Sequence, residues 1–191
     1  MAQPHSRPSF DKLVATYPGP QRYSAGEVKR LIGGAIDDTA APPAQQWPGG
    51  DQGDTCTIRM SRALNYSNVQ IPPHFPGFRT ARGRDGFRYG FAVQELHKWL
   101  GTRFGKPDIT AKGKPVRRDA FAGKRGIIVF DIVFGLNADN RTRALGHADL
   151  WDGSTFSDEI AGISTAARDF FTIADAVSLW ICPGSATLPT S

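Results

Sequence analysis

The sequence predicts an α+β domain, with N-terminal helices packed on a C-terminal antiparallel β-sheet. Three observations carry that prediction. Capped, amphipathic segments lie before residue 105. The β-branched run GIIVFDIVF (126–134) and the strand-like GHADLW, STFSDE and AVSLWIC lie after it. A chain of 191 residues with 40% hydrophobic content can bury one proper core, so a single domain over 1–191 is expected.

In chain order, SFDKLVATY reads as a short helix capped by Ser9. In SAGEVKRLIGG, Ser24 and Glu27 have capping-box spacing, and Gly33-Gly34 ends the helix. DDTAAPPAQQWPGGDQGD (37–54) is loop by its Pro, Gly and Asp content. A helix capped by Asp54 or Thr55 then runs to about Asn65, with Ile58, Ala63 and Leu64 as its buried stripe. IPPHFPGFRTARGRDGFR reads as loop. FAVQELHKWLGTRFG is amphipathic through Val93, Leu96 and Leu100, and Gly105 stops it.

Composition narrows function. The formal charge of +5 and pI near 9.5 suit an anionic partner or polymer and are mild for a nucleic-acid binder. No run approaches the roughly 18 apolar residues of a membrane span, and MAQPHSRPSF lacks the apolar segment of a secretory signal. Cysteines at 56 and 182 alone form neither a disulfide framework nor a metal-ligand spacing, and His5, His74 and His97 make no ligand set, so no metal or cofactor is expected.

Two segments carry chemistry. Cys56 falls at a helix start, where unpaired N–H groups and the helix dipole favour a thiolate. In GHADLWDGSTFSDE, Asp152-Gly153 signals a two-residue hairpin turn with Trp151 facing Ser154. That register sets Asp158 opposite His147, within reach to orient the imidazole, and puts His147, Asp149 and Trp151 on one face. Strand residues i and i+2 stand roughly 6.5–7 Å apart. Asp149 and Trp151 are therefore expected as substrate contacts rather than as orienters. Helix-borne Cys and later strand-borne His is the papain-like layout in its chain order.

Together RPSF, LIGG, TCTIRMSRALNYS, IP, GRDGFRYGFAVQEL, GKPD, GKRGIIVF, GHADLWDGS and SLW, in this order and spacing, resemble the type VI secretion amidase effectors of the fourth family over nearly the whole chain. The resemblance implies a papain-like fold and a cysteine amidase cleaving peptidoglycan stem peptides between γ-D-glutamate and meso-diaminopimelate. It further implies export by the type VI apparatus without a signal peptide, action in the recipient's periplasm, and a cognate immunity protein that blocks the active site. By its motifs Cys56 is the nucleophile, His147 the base and Asp158 the third member. Two departures stand out: DIVFGLNADNRTRAL before Gly146 is longer than usual, and the cysteine pair that some members carry after the histidine is missing. The reading from another class is a non-enzymatic module whose basic segments FRTARGRDGFR and KGKPVRRDAFAGKR grip an acidic surface, with Cys56 merely buried.

Overall fold

The structure, a computed structural model, describes residues 5–37, 55–134, 143–156 and 169–184. The helices begin where side chains can accept the orphan amides of a first turn. In α1 (Phe10–Thr16) Ser9 accepts from the amide of Lys12. In α2 (Ala25–Ile32) the Ser24–Glu27 box forms in both directions, 3.3 and 2.8 Å, and Gly33 leaves the helix at φ 66°. α3 (Cys56–Tyr66) is enclosed on nearly every side, with polar Thr57, Arg59, Ser61 and Asn65 buried beside Ile58 and Leu64. The expected apolar stripe is only part of its buried surface.

Residues 71–88, read as loop, contain most of a small hairpin of β1 (Thr80–Arg82) and β2 (Arg88–Gly90). Strands of three residues are too short to show alternation. What closes this one is Asp85, which accepts from the amide of Phe87 and from the hydroxyls of Tyr89 (2.5 Å) and Tyr66 (3.0 Å). After α4 (Val93–Phe104) come β3 (Ile109–Lys112), β4 (Gly126–Phe134), β5 (Arg143–Trp151), the one-turn α5 (Phe170–Ile173) and β6 (Ala176–Ile181). The main sheet runs β3-β6-β4-β5, antiparallel throughout, so among the described residues β5 is an edge strand.

One face of this sheet packs on the helices through Leu13, Leu64, Leu96, Val129, Leu150 and Trp180. The other buries Ile128, Phe130, Trp151, Phe171, Val177 and Leu179. Gly146 lets α4 approach β5: a Cβ there would lie 2.6 Å from Cγ1 of Val93. The helices-first, sheet-last α+β architecture is the expected one.

The expected turn after β5 is not. Trp151 pairs with Phe156, not Ser154, so four residues separate the pair and the register moves by two. Asp152 is the cause. Burial raises its carboxyl pKa, but the amides of Thr155 and Ser154, each 2.8 Å from Oδ1, outweigh that and hold it below the usual carboxylate range. The Ser154 hydroxyl donates to the same oxygen, and the Asp152 amide donates to the Thr155 carbonyl at 3.0 Å. A side chain taking three donors stabilises a wider loop than the Asp-Gly signal implies. The register argument for Asp158 falls with it, and Asp158 itself lies outside the described residues.

Candidate active site

Cys56 is the first residue of α3, partly exposed and not in a disulfide, and it packs against the helix-side core. Thr55 precedes it without capping the helix; its hydroxyl instead accepts from Nε of Arg59 at 3.2 Å. The buried Arg59 also donates to the carbonyls of Tyr23 (2.7 Å) and Pro18. One guanidinium thus ties residues 18–23 to the first turn of α3.

α3 packs against the edge strand that carries the histidine. His147 pairs with Phe130 in the β4–β5 ladder, and its Nε2 lies 3.2 Å from Oδ2 of Asp149. The expectation that Asp149 sits too far along the strand is therefore corrected. The two side chains share a face of that strand, and the carboxylate is drawn in by a further donor: the Leu150 amide gives 2.7 Å to Oδ1. Asp149 is 6% exposed and its oxygens are engaged, so direct substrate contact does not fit it. Nor does it fit Trp151, at 1% exposure, whose indole donates to the Phe121 carbonyl (3.0 Å) and is covered by Arg118, 4.9 Å above the ring. Trp151 is core.

Two aromatic rings flank the histidine. Phe170, from α5, stacks on the imidazole with ring centres 4.0 Å apart and planes within 12°. Phe156 meets the same ring edge-on at 6.5 Å. Tyr17, just beyond α1, is buried within electrostatic reach of Asp149, Arg59 and Cys56. Burial and then the charge of Asp149 hold its phenol well above its ordinary pKa, so it remains a donor. Only the Pro-Gly-Pro that follows Tyr17 marks the place in the sequence, and it marks a turn rather than a site.

The other candidates resolve into structure. Asn65 bridges the Arg88 carbonyl and the Ile71 amide at 2.8 and 2.9 Å, bracing α3 against its surroundings. Cys182 is buried after β6, and burial pushes its thiol up to about 12. His97 forms a second pair with Asp131, 3.3 Å apart. Among the described residues no three His, Cys, Asp or Glu side chains converge as a metal site requires.

With a thiol at a helix start and a histidine–carboxylate pair on the adjoining edge strand, the fold can be set beside known ones. The chain is similar to the solved effector Tae4 of the Salmonella typhimurium effector–immunity system Tae4/Tai4: 29% identity, TM-score 0.72, covering 93% of this chain and 100% of that one. It is similar to the type VI effector Tae4 from Enterobacter cloacae (28%, TM-score 0.69, 94% and 99%). It also resembles a chain of the Tae4–Tai4 complex of that organism (30%, TM-score 0.70, 92% and 99%). No curated protein matches the chain. By fold, then, this is a protein of the type VI effector class. Residues 52–180 match the family model for type VI secretion system amidase effector protein 4, Tae4, and the chain belongs to that family.

Proposed function

We propose that the chain hydrolyses peptidoglycan stem peptides at the γ-D-glutamyl–meso-diaminopimelate amide by cysteine nucleophilic catalysis on a papain-like layout. The observation that supports this best is the packing of α3, which begins at Cys56, against β5, which carries the His147–Asp149 pair.

In the proposed mechanism Nε2 of His147 is engaged by Asp149, so Nδ1 is the nitrogen left for the thiol proton. Cys56 Sγ gives its proton to His147 and attacks the amide carbon, with the Cys56 amide donating to the oxyanion. His147 returns the proton to the departing amine as the C–N bond breaks. Water, losing a proton to His147, then cleaves the thioester and frees the thiol. Asp158 is the third member that the resemblance assigns. With Nδ1 left for the thiol, Asp158 shares the Nε2 proton with Asp149, which holds the ring from its own strand.

Family membership and the Tai4-bound relatives support the remaining parts of the reading: export by the type VI apparatus, action in the recipient's periplasm, and inhibition by a cognate immunity protein seated over the site. The basic binding module is the reading from another class. Digestion of purified meso-diaminopimelate peptidoglycan, followed by mass analysis of the fragments, separates the two. Wild-type protein should release stem fragments ending in glutamate, and Cys56→Ala should release none. Intact peptidoglycan with both forms would leave only binding.

A further inference from the structure

Of the four arginines in FRTARGRDGFR, two are committed within the fold. Arg79 gives Nε and its amide to Glu95 at 2.7 and 2.8 Å, and Arg84 lies over Gly33, where a Cβ would meet its guanidinium carbon at 2.9 Å. Arg82 and Arg88 are not. They stand directly opposite each other in the β1–β2 ladder, and among the described residues neither forms an ion pair. Asp85, the one acidic residue of the hairpin, is taken up by the Phe87 amide and the hydroxyls of Tyr89 and Tyr66. Like charges facing each other across two strands oppose the pairing, so an incoming anion would relieve this hairpin as well as bind to it. We propose that the hairpin face carrying Arg82 and Arg88 is a subsite for a carboxylate of the peptidoglycan stem peptide. The proposal rests on the amidase reading above.

The same face opens onto a cleft of about 470 Å³. Arg88 and Thr80 line it from the hairpin, and Pro73, His74, Pro76 and Phe78 line it from the segment before. Thr80 and Arg82 are two apart in β1 and share a face, which places Arg82 at the rim. Arg88 is half-buried and Arg82 exposed. The position of the cleft beside α3 is fixed at Gly90, the last residue of β2. Its amide donates to the Ser61 hydroxyl at 3.0 Å, and a Cβ on it would lie 2.2 Å from Cε2 of Phe78 and 3.1 Å from Cγ2 of Thr57. The cleft wall and the residue after Cys56 thus close on one point, which glycine leaves room for. A stem peptide bound at Cys56 carries free carboxylates next to the scissile amide. Glutamate linked through its γ-carboxyl keeps its α-carboxylate, and diaminopimelate has one carboxyl more than the chain uses. A guanidinium with no partner in the fold takes such a group through two parallel N–H bonds. The prolines and Phe78 then cover the methylenes beside it.

Arg88→Gln tests this, because it keeps a polar side chain and removes the charge. On a defined muropeptide it should raise KM about tenfold with kcat within about twofold, the pattern of binding lost equally from ground and transition states. Arg82→Gln, at the exposed member, should raise KM about threefold. Neither should lower the unfolding temperature, since each removes a like-charge repulsion, whereas loss of a merely structural contact would lower it. Converting the free carboxylates of the muropeptide to carboxamides should raise the wild-type KM by the same factor, about tenfold. The same conversion should change the KM of Arg88→Gln less than twofold, since the two changes remove one interaction. Unchanged KM in both arginine variants, with Cys56→Ala inert, overturns the subsite and leaves the cysteine mechanism standing. An Arg88→Gln loss of equal size on the acid and carboxamide substrates also overturns it, because the arginine would then contact something other than a carboxylate. If Cys56→Ala retained full activity, the underlying reading would fail and the subsite with it.

Discussion

Among the described residues there are two histidine–aspartate pairs of nearly the same length. His147–Asp149 spans 3.2 Å and His97–Asp131 spans 3.3 Å. Both histidines are mostly covered, their side chains 20% and 26% exposed, but the aspartates differ: 8% for Asp149 and 37% for Asp131. The first pair lies on the strand against which the thiol-bearing helix packs, stacked under Phe170 and backed by Tyr17. The second joins α4 to β4 and meets only the edge of Trp180, ring centres 5.2 Å apart. Cys182 hydrogen-bonds the Trp180 carbonyl, but its buried thiol is pushed up to about 12. An imidazole and a carboxylate in contact are thus common structural material. Enclosure of the carboxylate and a thiol at a helix start are what single out one pair as the candidate site.

The largest effect should come from the thiols. Cys56→Ala should lower kcat by roughly 10⁴-fold or more, as loss of a nucleophile does, while Cys182→Ser keeps turnover within about twofold. Native protein at pH 8 should take up one alkyl group from iodoacetamide, at Cys56, and a second only after denaturation. Peptide mapping reads this directly. Rapid labelling of Cys182 in the folded state would erase the contrast between the two regions.

Next come the pairs themselves. His147→Ala should cost roughly 10³-fold or more in kcat, whereas His97→Ala should leave kcat nearly unchanged and cost about 1 kcal/mol of stability through its lost ring contact. Urea unfolding and initial rates on the same preparations separate the two effects. A His97 variant that is stable but inactive would mean that the wrong pair has been taken as the site.

The carboxylates sharpen the comparison further. Asp158→Asn should lower kcat by up to about 10⁴-fold, the scale of a lost triad carboxylate. Asp149→Asn should lower it about 10²-fold with little change in KM, because its oxygens face the imidazole and the Leu150 amide. Asp131→Asn should change neither constant. If Asp158→Asn kept wild-type turnover while Asp149→Asn lost it, Asp149 would be the sole orienter.

How far the sequence reaches is visible in these residues. The caps at Ser9 and Ser24, the start of α3 at Cys56 and the runs that become β4 and β6 were legible, because each rests on a local pattern with one physical cause. The turn after β5 was misread because Asp-Gly signals a tight turn, whereas the Asp152 carboxylate captures the Ser154 and Thr155 amides and opens it. The site showed its chemistry at Cys56 and His147 but not its supports. Tyr17 and Phe170 reach the histidine pair only through tertiary packing, and nothing near them in the chain announces it. Trp151 lies on the predicted face, yet that face is covered, since alternation assigns a side chain to a face without saying whether the face is open.

The smallest expected effect concerns that covering. Phe170 lies nearly parallel to the His147 ring at contact distance, while Phe156 touches it only edge-on and farther off. Aromatic pairs of this kind contribute about 0.5–1.5 kcal/mol beyond their buried area. Since 1.36 kcal/mol is tenfold in rate, a ring that must stay aligned through proton transfer should lose no more than about tenfold when the stack is removed. Phe170→Leu keeps most of the apolar bulk against Phe130 and Phe156 but removes the flat surface. It should reduce kcat about threefold with KM unchanged, and Phe156→Leu should reduce it less. Both should destabilise the protein by about 1 kcal/mol, because both rings pack against the same core beneath the sheet. Equal kcat losses for the two, tracking the stability loss alone, would reduce Phe170 to a packing residue and leave the tether through Asp149 as the only visible constraint on the histidine.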